Sequence, residues 1–261
     1  MPRFAANVSL FYPEHPLVDR IGAAARDGFA AVEVQGPYSV EASELQRALR
    51  DARTRLVLMN APVGDSIGGE RGLAALPGRE AEFDASMERA LDYARVVGAP
   101  RVHVMAGAPP ANVTPREAFA TYARNIARAC SVLGQHEIDV MIEPINPRDM
   151  PGYFLDRLPL ALEVIDRLPA PKPQLQFDFY HLQIIGGDIT AHFARQRARV
   201  GHVQIAGVPE RHEPDTGEVN YGFIFRELDR LGYEGWVGCE YRPRRTGPGG
   251  TSAGLGWLRR L

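Results

Sequence analysis

The chain has 261 residues, 45 % of them apolar and 24 % charged, with a formal net charge of −2. That balance suits a large globular core and gives no footing to a nucleic-acid surface, which needs a basic excess. Two cysteines, Cys130 and Cys239, are too few for a disulfide scaffold; no stretch has the length of a membrane span and "MPRFAANVSL" lacks a leader layout, so a soluble cytoplasmic protein without nucleic-acid or membrane partners is expected.

In chain order, "FAANVSL" (4–10), "AAVEVQ" (30–35) and "RLVLMNA" (55–61) read as the first three strands, each a compact apolar run bounded by turn or polar residues. A long connection, 62–79, precedes a helix over 80–97 that puts Phe83, Met87, Ala90, Leu91 and Ala94 on one face. "RVHVMAG" (101–107) is the fourth strand. A helix over 115–133 follows, with Thr114 as N-cap, Pro115 first and Glu117 third. "DVMIEPI" (139–145), a helix over 158–168, "LQFDFYH" (175–181) and "GHVQIA" (201–206) continue the alternation. A second long connection, 207–219, leads to a helix over 221–232 closing on Gly232 and to the last strand, "GWVGCEY" (235–241).

Eight strand–helix units over this length predict an α/β fold, a (β/α)₈ barrel forming one domain over residues 1–261. A doubly wound open sheet would want a Gly-rich turn after the first strand, where "SLFYPEHP" stands instead. Both long connections follow strands, at the barrel end where active sites form.

Side chains alternate along a strand. With Val140, Ile142, Leu175, Phe177, Val203, Ile205, Val237 and Cys239 facing the helices, Glu143, Asp178, Gln204 and Glu240 face the axis at the same end of four consecutive strands. Three carboxylates so placed repel one another, and unless two are protonated they need a cation between them. Oxygen-rich ligation suits Mg²⁺ or Mn²⁺. Strict alternation points His181 away from Asp178; if the strand has already ended, His181 is a hydrogen-bond partner for substrate or for a ligating side chain. His103 and His202 face inward but deeper. Arg71 and Arg211, in the two long connections, are candidate clamps for a substrate carboxylate. Glu70 and Glu218 are weaker candidates, and Cys239 reads as a buried inert thiol.

"RFAANVSL", "GERGLAALPGRE", "IEPIN", "QFDFYH", "GHVQIA", "RHEPDTGEVNY" and "GWVGCEY", in this order over nearly the whole chain, resemble the hydroxypyruvate isomerase family of xylose-isomerase-like barrels. The resemblance implies an isomerase interconverting hydroxypyruvate and tartronate semialdehyde. It implies a divalent metal on Glu143, Asp178, Gln204 and Glu240, with the two glutamates as acid–base pair and a small anionic hydroxy- or oxo-acid as substrate. "MPRFAAN", "HVMAG" and "HVQIAGVPERHEP" equally resemble the 2-oxo-tetronate isomerases, the first alternative. An epimerase or dehydratase on the same site shares the enediolate step. A metal-dependent hydrolase would want more histidine ligands and a basic groove, and a non-catalytic sugar-acid binding protein would not need both glutamates. The Arg- and Gly-rich end, "RRTGPGGTSAGLGWLRRL", departs from the family pattern. The sequence is compatible with a homo-oligomer and does not fix the oligomeric state.

Overall fold

The computed structural model describes residues 1–260. Eight parallel strands run β1 (Arg3–Asn7), β2 (Ala31–Val34), β3 (Arg55–Asn60), β4 (Arg101–His103), β5 (Asp139–Ile142), β6 (Gln174–Asp178), β7 (Val200–Ile205) and β8 (Trp236–Cys239). They pair in sequence order, and β8 returns to β1 with Arg3 opposite Trp236 and Ala6 opposite Cys239, closing the barrel. An open doubly wound sheet is thereby excluded.

The intervening helices are α1 (Leu17–Arg26), α2 (Ala42–Asp51), α3 (Glu80–Val97), α4 (Pro115–Gly134), α5 (Leu158–Arg167), α6 (Phe179–Ile185), α7 (Ile189–Gln196) and α8 (Tyr221–Arg230), followed by a short α9 (Gly250–Gly254). α4 starts as its sequence predicts. The Thr114 hydroxyl accepts from the Glu117 amide at 3.3 Å and the Glu117 carboxylate accepts from the Thr114 amide at 2.9 Å, a reciprocal cap worth about 1 kcal/mol. No described helix is long and apolar enough to cross a membrane.

Alternation sorts the strands into two layers. Phe4, Ala6, Val32, Val34, Phe177, Val203, Val237 and Cys239 join the large core that includes the helices. Ala5, Ala31 and Val57, with Trp236 packed against them, form a separate small cluster at the intervening positions, inside the barrel. Further along the same inner face the side chains turn polar: Glu33, His103, Gln176, Asp178, His202 and Gln204 are all buried. Buried polar groups persist where they satisfy one another, and this inner polar layer carries the site.

β6 is shorter than its sequence suggests. It ends at Asp178, and α6 begins at the next residue because Asp178 Oδ1 accepts the Tyr180 amide at 2.8 Å as an N-cap. The side-chain period therefore changes from two to 3.6 between Asp178 and His181.

Candidate active site

Glu143 follows β5 directly and is buried at the barrel mouth. Its Oε2 accepts from Gln176 Nε2 at 3.0 Å and lies 3.7 Å from His103 Nδ1, while its Oε1 has no hydrogen-bond partner. Asp178 is in the same condition: Oδ1 caps α6, and Oδ2 is buried without a hydrogen bond. Two orphaned carboxylate oxygens this deep are costly while charged, and either a cation between them or a bound proton relieves that cost.

His181 completes the cluster. Ligand atoms of Glu143, Asp178 and His181 lie within 4.8 Å of one another, with His181 Nε2 3.6 Å from Asp178 Oδ2 and 4.0 Å from Glu143 Oε1. The strand-period expectation for His181 is thus overturned, because one turn of α6 swings the imidazole inward. Its tautomer follows from Asn146. That amide oxygen accepts from the Asp149 amide at 2.9 Å, so its nitrogen faces His181 Nδ1 at 2.6 Å and donates to it. Nδ1 is thus an acceptor, which puts the ring proton on Nε2; Arg211 Nη2, 3.3 Å from Nε2, is then a neighbouring donor with no hydrogen bond to it.

Glu240 follows β8 and is held from three sides. Arg211 Nη2 reaches its Oε1 at 2.6 Å, Gln35 Nε2 donates to the same oxygen at 2.8 Å, and Gln204 Nε2 donates to Oε2. Gln204, on β7, also donates to Glu33 Oε2 at 2.9 Å and accepts from Gln176 Nε2 at 2.6 Å. Two carboxylates on one side and an amide donor on the other fix its orientation, with the oxygen toward Gln176. Glu143 and Glu240 are therefore joined through Gln176 and Gln204 while remaining separate carboxyl groups.

Arg211 is the cation of this site. Its guanidinium also lies 3.4 Å from Asp149 Oδ2, 3.8 Å from Asp178 Oδ2 and over the Tyr180 ring at 5.0 Å. Its own φ of 56° is the left-handed region, a local strain of about 1–2 kcal/mol for a residue with a Cβ. Burial works against its charge, but Glu240, Asp178, Glu143 and Asp149 outweigh that and hold its pKa above the ordinary arginine value.

Burial dominates the carboxyl groups. It pushes Glu143 well above the ordinary range, with Glu240 and Asp178 adding to it. Burial raises Asp178 to about 6 against the pull of Arg211, and raises Glu240 to about 8 against the same pull. Burial also keeps the imidazoles neutral, His103 at about 3 with His202 beside it and His181 well below 6.5 with Arg211 beside it.

The four axial residues expected from alternation do share this barrel end. Arg71 lines the cavity but is exposed, its Nη1 donating to the Glu70 carbonyl at 2.8 Å. Glu70 turns away to pair with Arg79 and to accept the Asp65 amide at 2.6 Å, so it shapes its own loop. Sequence reasoning passed over Glu33, Gln176, Gln35, Asn146, Asp149 and Arg242. Glu33 and Gln176 carried a readable signal, a polar residue between apolar neighbours on an inner strand position. Asn146, Asp149 and Arg242 lie in loops whose course no periodicity reveals.

Gln35, Asn60, Met105, Glu143, His181 and Glu240 are among the walls of a cavity of about 500 Å³, with Arg71, Arg89, Arg211 and Arg242 around it. The donor set at its base, Glu143 and Asp178 with unmet carboxylate oxygens beside His181, fits a divalent cation.

Residues 21–261 match the model of the xylose isomerase-like TIM barrel family. The chain belongs to that family. It is 52 % identical, over 99 % of its length and 98 % of the relative, to a 2-oxo-tetronate isomerase of Cupriavidus necator. It is 38 % identical to the hydroxypyruvate isomerase of Escherichia coli, over 99 % of this chain and 98 % of that one. A crystal structure described as AP endonuclease, family 2, from Brucella melitensis superposes with a TM-score of 0.95 at 41 % identity, covering 100 % of this chain and 99 % of the other.

Proposed function

We propose that this protein is a divalent-metal-dependent isomerase that moves a carbonyl between C2 and C3 of a short 2-oxo acid. The reaction is R–CH(OH)–CO–COO⁻ to R–CO–CH(OH)–COO⁻ through the enediol. With R as hydrogen it interconverts hydroxypyruvate and tartronate semialdehyde; with R as hydroxymethyl it isomerises 2-oxo-tetronate. The observation that carries the reading is the pair of unmet carboxylate oxygens on Glu143 and Asp178, in the same barrel mouth as a second, separately held glutamate, Glu240. The names of the relatives support the reaction class. Relatives of both names match over nearly the whole chain, 2-oxo-tetronate isomerases at 52 % and 42 % and hydroxypyruvate isomerases at 44 % and 38 %, so both acids belong to the reading.

A bound divalent cation would polarise the carbonyl and acidify the neighbouring C–H. Glu143 and Glu240 are the two proton carriers: one takes the proton from the carbon bearing hydroxyl, and the other returns one to the former carbonyl carbon. Burial suits both to the task at neutral pH, since it holds each above the ordinary carboxylate range. His181 Nε2–H points at the cluster and donates to a substrate oxygen. Arg211 keeps Glu240 in place, and the exposed arginines at the mouth, Arg71 and Arg242, attract the substrate carboxylate.

A nucleic-acid hydrolase, as the name of the Brucella neighbour would suggest, calls for an open basic face. A concave site of about 500 Å³ fits a metabolite instead.

The test is NMR of hydroxypyruvate and 2-oxo-tetronate with the protein in D₂O, with Mg²⁺ or Mn²⁺ and after chelation. Isomer formation with deuterium entering at the receiving carbon is expected with metal and not without. Full turnover by verified metal-free protein would remove the metal from the reading; no turnover of either acid under any metal would remove the substrate class.

A further inference from the structure

Beneath the cluster lies a carboxylate that the proton transfers do not use. Glu33, on β2, is buried inside the barrel and is not part of the cavity wall. Its Oε2 accepts from Asn7 Nδ2 at 3.1 Å and from Gln204 Nε2 at 2.9 Å, and its Oε1 meets His202 Nε2. His202 Nδ1 has no partner. A buried orphan acceptor is tolerated better than a buried orphan donor, so the imidazole proton belongs on Nε2, donating to Glu33. The fold makes room for this group. The register between β2 and β3 shifts at Val32/Glu33, and a Cβ at Gly238 on β8, on the far side of β1, would overlap the Glu33 carboxylate.

A primary amide has two ends of nearly equal size, and only its hydrogen-bond partners decide which way round it sits. Gln204 has two carboxylates on its nitrogen. Glu240 is shared with Arg211 and Gln35 and lines the cavity, where substrate reaches it. Glu33 stands outside that cavity and offers Gln204 the same acceptor whatever happens there. We infer that Glu33 is the positioning residue for Gln204: it keeps the amide nitrogen turned back into the barrel and the amide oxygen turned toward Gln176 and the Glu143 side throughout a turnover. His202 and Asn7 hold Glu33 for that purpose, and Gly238 leaves the space.

The kinetic arm of the test rests on the isomerase reading; the spectroscopic arm does not. Glu33→Met keeps volume and removes the acceptor, whereas Glu33→Gln keeps an oxygen for Gln204 and Asn7 and turns its amide nitrogen to His202, whose ring proton moves from Nε2 to the unpartnered Nδ1 to accept it. In the metal-free protein, the side-chain amide resonances of Gln204, assigned by their loss in Gln204→Ala, should exchange with solvent slowly in the wild type. They should exchange about tenfold or more faster in Glu33→Met, the scale of one charge-assisted hydrogen bond, and close to wild type in Glu33→Gln. Unchanged exchange in a folded Glu33→Met protein overturns the proposal even if no substrate is ever found.

With the substrate in hand, Glu33→Met should lower kcat about tenfold or more with KM within about twofold, and Glu33→Gln should recover most of it. In a Gln204→Ala background, Glu33→Met should cost little further, because the residue it positions is gone. Losses that multiply in the double variant would show that Glu33 acts on stability alone and would overturn the assignment. If Glu33→Met does not fold, Glu33→Gln still decides. Near wild-type kcat supports orientation by an acceptor, and a loss of about a hundredfold overturns it.

Discussion

Residues 62–79 and 207–219 each carry an arginine to the cavity, and they do so by opposite means. In the first, residues 64–69 are all exposed, Ile67 is 99 % exposed, and Arg71 bonds only to carbonyls of its own loop. In the second, Gly207 and His212 pair as an antiparallel bridge, the Glu218 amide donates to the Val208 carbonyl at 2.9 Å, and buried Glu213 accepts the Arg244 amide at 3.1 Å. That frame holds Arg211 in a left-handed backbone and drives its guanidinium among four carboxylates. An arginine that must neutralise buried charge needs a rigid mount; one that meets a ligand from solvent does not.

Removing Arg211 should break the comparison most severely. Arg211→Ala leaves Glu240, Asp178 and Asp149 without their cation, and losing one partner of a buried pair costs about 3–5 kcal/mol where the other stays charged, so the loss should be fullest above about pH 8, where Glu240 is ionised. Urea unfolding of the metal-free variant should show a loss of that order, turnover should fall at least about a hundredfold, and Arg211→Lys should restore only part of either. Wild-type stability in the alanine variant would mean that the hairpin, not the charge, supports the site.

The mounts themselves come next. Gly217 has φ 98° and a Cβ there would overlap the Val208 carbonyl, so Gly217→Ala should cost about 3 kcal/mol from crowding and left-handed strain together. Gly69, at φ 92° in the other loop, has nothing within 4 Å of a Cβ, and Gly69→Ala should cost about 1 kcal/mol. Equal shifts in melting temperature would contradict the difference between the loops.

The pH dependence should be smaller and opposite to ordinary acid unfolding. Asp178 and Glu240 bind protons more tightly folded than unfolded, so their contribution is complete below the ordinary carboxylate pKa and is lost as pH rises through about 6 and about 8. Chelated protein should melt at progressively lower temperature from pH 5 to pH 9, more steeply in Arg211→Ala, because Arg211 holds both groups down. A rising melting temperature over that range would show that these groups are ionised in the folded protein without any cation.

Arg71→Ala should do least: a rise in KM of up to about tenfold, the scale of one exposed charge-assisted contact, with stability unchanged. Arg242→Ala is its companion, since Arg242 makes no side-chain ion pair among the described residues. If neither changes KM, the substrate carboxylate is held inside the cavity.

The barrel was legible because eight compact apolar runs and their amphipathic partners carry a two-residue and a 3.6-residue period that burial enforces. The meeting of Glu143, Asp178, Gln204 and Glu240 was legible for the same reason, since alternation and a shared strand end are one-dimensional facts. For His181 strict alternation pointed the wrong way, and the alternative that the strand has ended is the one the structure follows, because a helix cap comes at Asp178. Glu70 looked like a site residue because its loop lies at the active end; that the loop folds back onto Arg79 is a three-dimensional fact with no period behind it. Glu33 stood in the open between Val32 and Val34, its meaning set by His202, 169 positions away.

Asp178 serves two masters: one oxygen starts α6 and the other faces the cluster, while His181 returns to the same spot one helical turn later. The four residues 178–181 therefore make up one unit, in which the fold's own strand-to-helix switch sets the spacing of carboxylate and imidazole while Asn146 fixes the ring from outside. Its tolerance for length change is nil, because a single inserted residue would turn the imidazole by about 100° around the helix and out of the barrel mouth.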